Sequence, residues 1–234
     1  MKKLTLNFTP VWAELDMILD GIVLTIGLSV AAIILGSMLA VLLVGIKSLA
    51  PRWAGILVDS YVELMRNTPF LIQLFMIFFG LPLLGLKMSG STAGLVAMTM
   101  NLGAYATEII RAGVDSTHKS QLEAGVSLAL TRLQVFRYIV LKPAFAKVWP
   151  ALSSQFVLMM LASSICSFIS VSELSGAAAI IESRTFRSFE TYIIVTIVYL
   201  VLALVLKSSL LMLGKRLFPN ASGLERLEVK AGAV

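Results

Sequence analysis

Apolar residues in this chain gather into long blocks separated by short polar, basic stretches. A helix rises about 1.5 Å per residue, so roughly 20 apolar residues cross a hydrocarbon layer of about 30 Å. Five blocks reach that length: 21–46, 56–84, 91–110, 151–171 and 191–213. The first carries no charge. The second holds Asp59, Glu63 and Arg66 ahead of Pro69, the third has Glu108 near its end, and the fifth has Lys207 near its end. Backbone groups in lipid must bond within the protein, so the blocks are predicted to be helices, and the alternation of a transmembrane barrel is missing. The pattern predicts an all-α integral membrane fold with five transmembrane helices in one domain over 1–234. Small residues recur in the first block (Gly27, Ala31, Ala32, Gly36, Ala40) and the third (Gly94, Ala97, Gly103, Ala104), where they allow close helix approach.

Between the third and fourth blocks lies a polar, basic segment, 112–150. Leu122, Val126, Leu130 and Leu133 repeat at helical spacing among Glu123, Ser127, Arg132 and Gln134. A short helix, a turn near 127–131 and a second helix are predicted, with Pro143 and Pro150 marking the approach to the fourth span. Such a helix serves either as a knob for the groove of a soluble partner or as an amphipathic segment on the membrane surface.

Lys and Arg in short loops set orientation. Lys47 and Arg52, then Arg111, Lys119, Arg132, Arg137, Lys142 and Lys147, then Lys215, Arg216, Arg226 and Lys230 fall on one side, predicted to be cytoplasmic. Lys2, Lys3, Lys87, Arg184 and Arg187 fall on the other. The N-terminus is therefore expected outside and the C-terminus inside, with the basic insert in the cytoplasm. Glu14, Asp16 and Asp20 precede the first apolar block, so no cleaved signal is expected.

Several polar residues sit inside the blocks. Arg66-Asn67-Thr68-Pro69 predicts a kink or break, because Pro69 removes a helix hydrogen bond, and Asn67 and Thr68 are placed to satisfy the freed groups. Glu63 with Arg66, and Glu108 with Arg111, are spaced three apart and so share a helix face. Either each pair neutralises itself, or the four form an interhelical network near the cytoplasmic side. Asn67, Thr68, Gln73, Asn101, Thr107 and Gln155 either line a solute path or join helices by hydrogen bonds. Glu173, Glu182, Arg184, Arg187 and Glu190, in the last outer loop, are expected to be solvated.

Composition narrows the function. The 234 residues are 58% hydrophobic and only 14% charged, with a mean hydropathy of +0.93, against about a quarter charged in soluble domains. The net charge of +6 is spread between apolar blocks, an orientation signal and not a nucleic-acid-binding patch. The single cysteine, Cys166, excludes an internal disulfide and a cysteine metal site, and is expected to be a packing residue. No phosphate-binding Gly-x4-Gly-Lys-Ser/Thr loop, metal-ligand cluster or Ser/His/Asp set appears, so neither an enzyme nor a cofactor is expected. A secondary carrier predicts repeated halves with broken helices, which five spans do not supply.

Glu123-Ala124-Gly125, with Ala129 four residues after Gly125 and Ile139, Leu141, Lys142 and Pro143 beyond, resembles the EAA loop of ABC-importer permeases. Arg66-Asn67-Thr68-Pro69-Phe70-Leu71-Ile72-Gln73-Leu74 and Ala104-Tyr105-Ala106-Thr107-Glu108-Ile109-Ile110-Arg111-Ala112-Gly113 resemble the polar amino acid uptake permeases within that class. The likeness covers all five spans. It departs at His118, where the family usually has proline, and at Ala129, which stands at the family's glycine and disfavours a left-handed turn. It implies a type I ABC importer permease in the bacterial inner membrane. A second permease subunit, identical or related, would pair with it, a cytoplasmic ATPase dimer would dock on the inserts, and a periplasmic or tethered binding protein would deliver a polar amino acid. The ATPase-coupling residues would be Glu123, Ala124, Gly125, Leu128, Ala129, Leu130 and Arg132. A related solute, such as an opine or sulfur compound, is the alternative cargo.

Overall fold

A computed structural model describes residues 6–219. Lys2, Lys3, Arg226 and Lys230 of the charge pattern lie outside them. Among the described residues every regular element is helical. A short α1 (Thr9–Trp12) leads into α2 (Leu15–Leu49), and α3 (Arg52–Arg66) and α4 (Phe70–Gly80) follow. Next come α5 (Gly90–Asp115), α6 (Lys119–Ser127) and α7 (Arg132–Gln134). A π-helical stretch, Val135–Leu141, joins α7 to α8 (Lys142–Ala162), and α9 (Leu174–Thr185) and α10 (Ser188–Leu217) complete the chain.

Three helical runs are long and apolar enough to cross a membrane: Leu15–Leu49, Arg132–Ile169 and Ser188–Leu217. The bent pair α3–α4 supplies a fourth. The expected third span, α5, is long enough at 26 residues but less apolar. It lies at the centre of the bundle, where Ala93, Ala97, Met98, Leu102, Ala104 and Ile110 are fully buried. Neighbouring helices, not lipid, surround it, so Asn101, Thr107 and Glu108 are tolerated there.

The tightest packing joins α2 to α5. Small residues make it possible: Gly36 sits 3.0 Å, measured from a would-be Cβ, from the Leu102 side chain, and Gly103 sits 2.6 Å from Leu39 Cδ2. Ala32 and Ala40 are fully buried at the same seam, whereas Gly27 faces open space. Cys166 is a buried packing residue against Gly94. Trp149 of α8 donates its Nε1–H to the Leu210 carbonyl of α10 at 2.9 Å.

The break predicted at Pro69 is present, and α3 and the segment from Phe70 to Leu84 meet at 107°. Two features differ from the sequence expectation. The fourth span starts far earlier than 151, because helix runs on from Arg132 to Ile169 and contains both Pro143 and Pro150. The π-helical turn immediately before Pro143 widens the backbone where that ring would crowd the preceding turn. The last outer loop is also not irregular. It holds α9, which packs on the start of α2 with Gly21 within 3.0 Å of Leu174 Cα. Val11, Ile18, Leu174, Ala178, Ile181, Ile194 and Val195 form a second core there.

Two alanine substitutions test this packing. Gly27→Ala, with no heavy atom within 4 Å, is expected to raise the unfolding temperature of the detergent-solubilised protein, because alanine is favoured over glycine in a helix by about 1 kcal/mol. Gly176→Ala places a Cβ 2.2 Å from the rigid Val171 carbonyl and is expected to cost about 1–3 kcal/mol.

Candidate functional site

The break between α3 and α4 builds the first part of the site. Opening a helix at Pro69 strands carbonyls, and Gln73 meets them: its Nε2 donates to Met65 O at 2.7 Å, Thr68 O at 3.0 Å and Thr68 Oγ1 at 2.8 Å. Thr68 Oγ1 donates to Leu64 O at 2.7 Å. The carbonyl oxygen of Gln73 accepts from Asn101 Nδ2 at 2.9 Å, tying the break to α5. Gln73 is thus a buried brace and is not among the residues that line the cavity described next.

Beside the break lies a cavity of about 500 Å³ lined by Arg66, Asn67, Thr68, Pro69, Phe70, Asn101, Tyr105, Gln155, Leu158, Met159 and Ala162. Asn67, Thr68, Asn101 and Gln155 therefore share one space, contributed by the break, α5 and α8. Arg66 ends α3, 14 residues after Arg52, and Asn101 lies 14 residues before the end of α5. Both sit about 21 Å in from the end of the bundle that carries the insert, near mid-height.

Below the cavity a chain of ion pairs runs toward that end. Arg66 Nη1 lies 3.6 Å from Glu108 Oε2, and Glu108 Oε1 pairs closely with Arg111. Arg111 lies 3.8 Å from Asp59, which pairs closely with Lys47. The network links α2, α3 and α5. It contains Arg66, Glu108 and Arg111, as one sequence alternative had it, but Glu63 is exposed and makes no ion pair among the described residues. Asp59 holds the place given to Glu63, because Val58 and Val62 set the buried stripe of α3 and Glu63 lies further round the helix.

The insert forms the third part. α6 ends in a Schellman turn: Leu130 N–H donates to Gly125 O at 3.2 Å and Ala129 N–H to Val126 O at 2.9 Å. This turn requires a left-handed residue, and Ala129 takes it with φ 54°. The left-handed turn that alanine was expected to disfavour is present. Thr131 and Gln134 then cap α7 reciprocally. Gly125 is buried against the next helix, a Cβ there meeting Ile139 Cδ1 at 2.6 Å and Val135 Cγ2 at 3.1 Å. Glu123, Ala124 and Arg132 are exposed, and so are Val126 (68%), Leu128 (73%) and Leu133 (62%), an apolar surface ringed by charge. Leu122, Val126 and Leu130 also wall a cavity of about 510 Å³ shared with Leu49, Val114, Phe136 and Val140.

At the opposite end the loop charges are not simply solvated. Glu173 is fully buried. It caps α9 by accepting from Gly176 N–H at 2.9 Å, and it accepts from Tyr199 Oη at 2.6 Å. Arg184 pairs with Glu14 at 3.3 Å, and Glu190 accepts the Asn7 N–H at 3.0 Å while pairing with Arg187. Hydrogen bonds from Ser188 and Tyr192 hold the Glu182 carboxyl below its ordinary range. The only sequence signal for α9 was Glu173 ahead of Leu174-Ser175-Gly176, a helix start easily mistaken for loop composition.

The family model for the inner membrane component of binding-protein-dependent transport systems matches residues 32–219. This chain belongs to that family. The permease is 36% identical over 217 residues to the probable glutamine ABC transporter permease protein GlnM of Bacillus subtilis, covering 91% of this chain and 98% of the relative. It is 31% identical to the glutamine transport system permease protein GlnP of Escherichia coli K12 (90% and 97% covered). It is also 31% identical to the arginine transport system permease protein ArtQ of Bacillus subtilis (87% and 93%). The crystal structure of an amino acid ABC transporter with histidines superposes with a TM-score of 0.82 at 32% identity, covering 91% of the permease and all of that chain. The MetNI methionine transporter, at 15% identity and a TM-score of 0.74, shares the fold. The permease is a transport subunit and a multi-pass inner-membrane protein with the type I ABC importer fold.

Two measurements test the local geometry. Ala129→Gly relieves a left-handed alanine and is expected to stabilise the permease by about 1 kcal/mol in thermal unfolding. Gln73→Leu strands the carbonyls at the break and is expected to cost about 1–3 kcal/mol, whereas Glu63→Gln is expected to stay within about 0.5 kcal/mol of wild type.

Proposed function

We propose that the permease carries a polar amino acid inward by alternating access, with the mid-height cavity as part of the path. The observation that carries this reading is the meeting of Asn67, Thr68, Asn101 and Gln155 in one cavity beside a broken helix. Broken helices at mid-membrane are where transporters expose backbone and amide groups to a polar solute. The glutamine and arginine named for the relatives, and the histidines of the similar transporter, make a polar amino acid the favoured cargo.

The topology follows from charge. Lys47, Arg111, the insert and Lys215 share one end of the bundle, which the distribution of Lys and Arg assigns to the cytoplasm. The N-terminus then lies outside and α5 completes five crossings. The face formed by Glu123, Ala124, Val126, Leu128, Arg132 and Leu133 receives a separate ATPase subunit, with Gly125 and Leu130 supporting it and the exposed Ala129 setting the turn at its edge. ATP binding draws two such ATPases together, and two permease subunits, identical or related, move with them. A periplasmic or tethered binding protein docks on the opposite end, around α9.

Uptake of labelled amino acids by membranes holding the full transporter tests both parts. Gln155→Leu is expected to lower uptake at least tenfold while leaving ATPase capture intact. Glu123→Lys is expected to leave the bundle folded and to separate ATP hydrolysis from uptake. Normal uptake in both variants rejects the reading, and permease that purifies without an ATPase rejects the coupling role.

A further inference from the structure

We infer that a second cavity, between α8, α9 and α10 at the end of the bundle opposite the insert, binds a small organic ammonium ion. It encloses about 400 Å³ and shares no residue with the mid-height cavity. Its polar lining consists of hydroxyls alone, those of Ser164, Ser175, Tyr192, Thr196 and Tyr199. Each of their protons is already committed. Ser164 Oγ donates to Leu161 O at 2.8 Å, and Thr196 Oγ1 donates to Tyr192 O at 2.7 Å. Tyr192 Oη donates to Glu182 Oε2 at 2.9 Å, and Tyr199 Oη donates to Glu173 Oε2 at 2.6 Å. Ser175 Oγ lies 3.2 Å from Tyr199 Oη, and because Tyr199 gives its proton to Glu173, Ser175 supplies the proton between them. A hydroxyl has one proton and two lone pairs. The wall therefore presents oxygen lone pairs and no side-chain N–H. It accepts hydrogen bonds and has none to donate, so it is suited to a donor and not to a carboxylate or phosphate.

Charge points the same way. Glu173 and Glu182 stand one hydrogen bond behind the two tyrosines. Glu173 is fully buried, and its partners are the Gly176 N–H and the hydroxyls of Tyr199 and Thr25, all neutral. Glu182 is held by the hydroxyls of Ser188 and Tyr192. Among the described residues neither carboxylate forms an ion pair, since Arg184 is engaged with Glu14 and Arg187 with Glu190. Two carboxylates without a counter-charge set a negative potential that a cation in the cavity offsets. The lining also selects the kind of cation. A hard metal ion takes about six to eight oxygen ligands, carboxylates prominent among them, whereas here both carboxylates lie behind the wall. The volume falls instead within the range of small-molecule sites, about 300–1,000 Å³. The ammonium protons of an alkylamine meet the hydroxyl oxygens and the tyrosine rings, and its carbon atoms meet Leu161 and Val195.

The test uses the permease with its ATPase subunits in nanodiscs free of ethanolamine lipids. The probe is ethylammonium chloride, with sodium chloride at equal ionic strength as the control. Ethylammonium is expected to raise the unfolding temperature in a saturable way that sodium does not reproduce, and calorimetry reads its affinity. Thr196→Val keeps the side-chain shape, removes one acceptor, and is expected to weaken binding about fivefold. Thr196→Lys tethers an ammonium in the cavity and is expected to abolish ethylammonium binding and to raise the unfolding temperature of the ligand-free complex, which Thr196→Gln does not. Gln155→Leu, in the other cavity, is expected to leave ethylammonium binding unchanged. Nanodiscs that contain phosphatidylethanolamine identify the source of the amine: competition with ethylammonium supports the site with a lipid headgroup as ligand, and unaltered affinity supports it with a free amine. The inference is overturned if ethylammonium and sodium act alike, if Thr196→Val binds as wild type does, if Thr196→Lys still binds ethylammonium, or if Gln155→Leu removes the binding.

Discussion

A helix opened inside a lipid layer has no water to satisfy its backbone, so the protein must do it, and in this permease one side chain does most of that. Gln73 gives its amide to the carbonyls of Met65 and Thr68, ahead of Pro69, and its oxygen to Asn101. That arrangement, with Thr68 Oγ1 bonded to Leu64 O, satisfies the backbone at the 107° turn between α3 and α4. The turn ends α3 at mid-height, which leaves Arg66 at the wall of the cavity and not within a continuous helix. It also directs α4 across the bundle, where Leu74 is buried and Gln73 meets α5. Cavity, ion pairs and central helix thus share one local solution to a backbone hydrogen-bonding problem.

α5 answers the complementary problem. A helix that carries Asn101, Thr107 and Glu108 is a poor neighbour for lipid, and its small residues let α2 close over it. The polar groups then become internal fixtures. Asn101 joins the brace, Thr107 returns its hydroxyl to Gly103 O at 2.6 Å, and Glu108 joins the ion pairs.

Apolar block lengths made the helical class legible, and the residue order around Arg66–Leu74 and Ala104–Gly113 made the family legible. What the sequence could not supply was rotation and continuity. Spacing of three made Glu63 and Glu108 equal candidates, but only packing decides which face of α3 meets α5, and Val58 and Val62 put Asp59 there. Proline reads as an interruption, yet Pro150 lies within a helix and a π-helical turn accommodates Pro143. Alanine reads as averse to a left-handed turn, yet two backbone hydrogen bonds at the end of α6 hold Ala129 in one. Charged loop composition concealed α9, because its leading carboxylate is buried under Tyr199 and Thr25, contacts distant in sequence.

The unbroken helical run from Arg132 to Ile169 has a mechanical meaning. At 38 residues it is about 57 Å long, more than the hydrocarbon thickness, and it starts in the insert, beside the exposed apolar residues Val126, Leu128 and Leu133. Such a rod behaves as a lever. A tilt of about 10° imposed at the insert moves its far tip by about 10 Å, with no intermediate joint needing to bend. That tip leads directly into Ser170, held left-handed with φ 62°, and then into α9. The run is α-helical over Lys142–Ala162, with a π-helical turn at its base and a 3-10 turn, Ser163–Ile169, at its tip, so its two irregular turns lie at its ends.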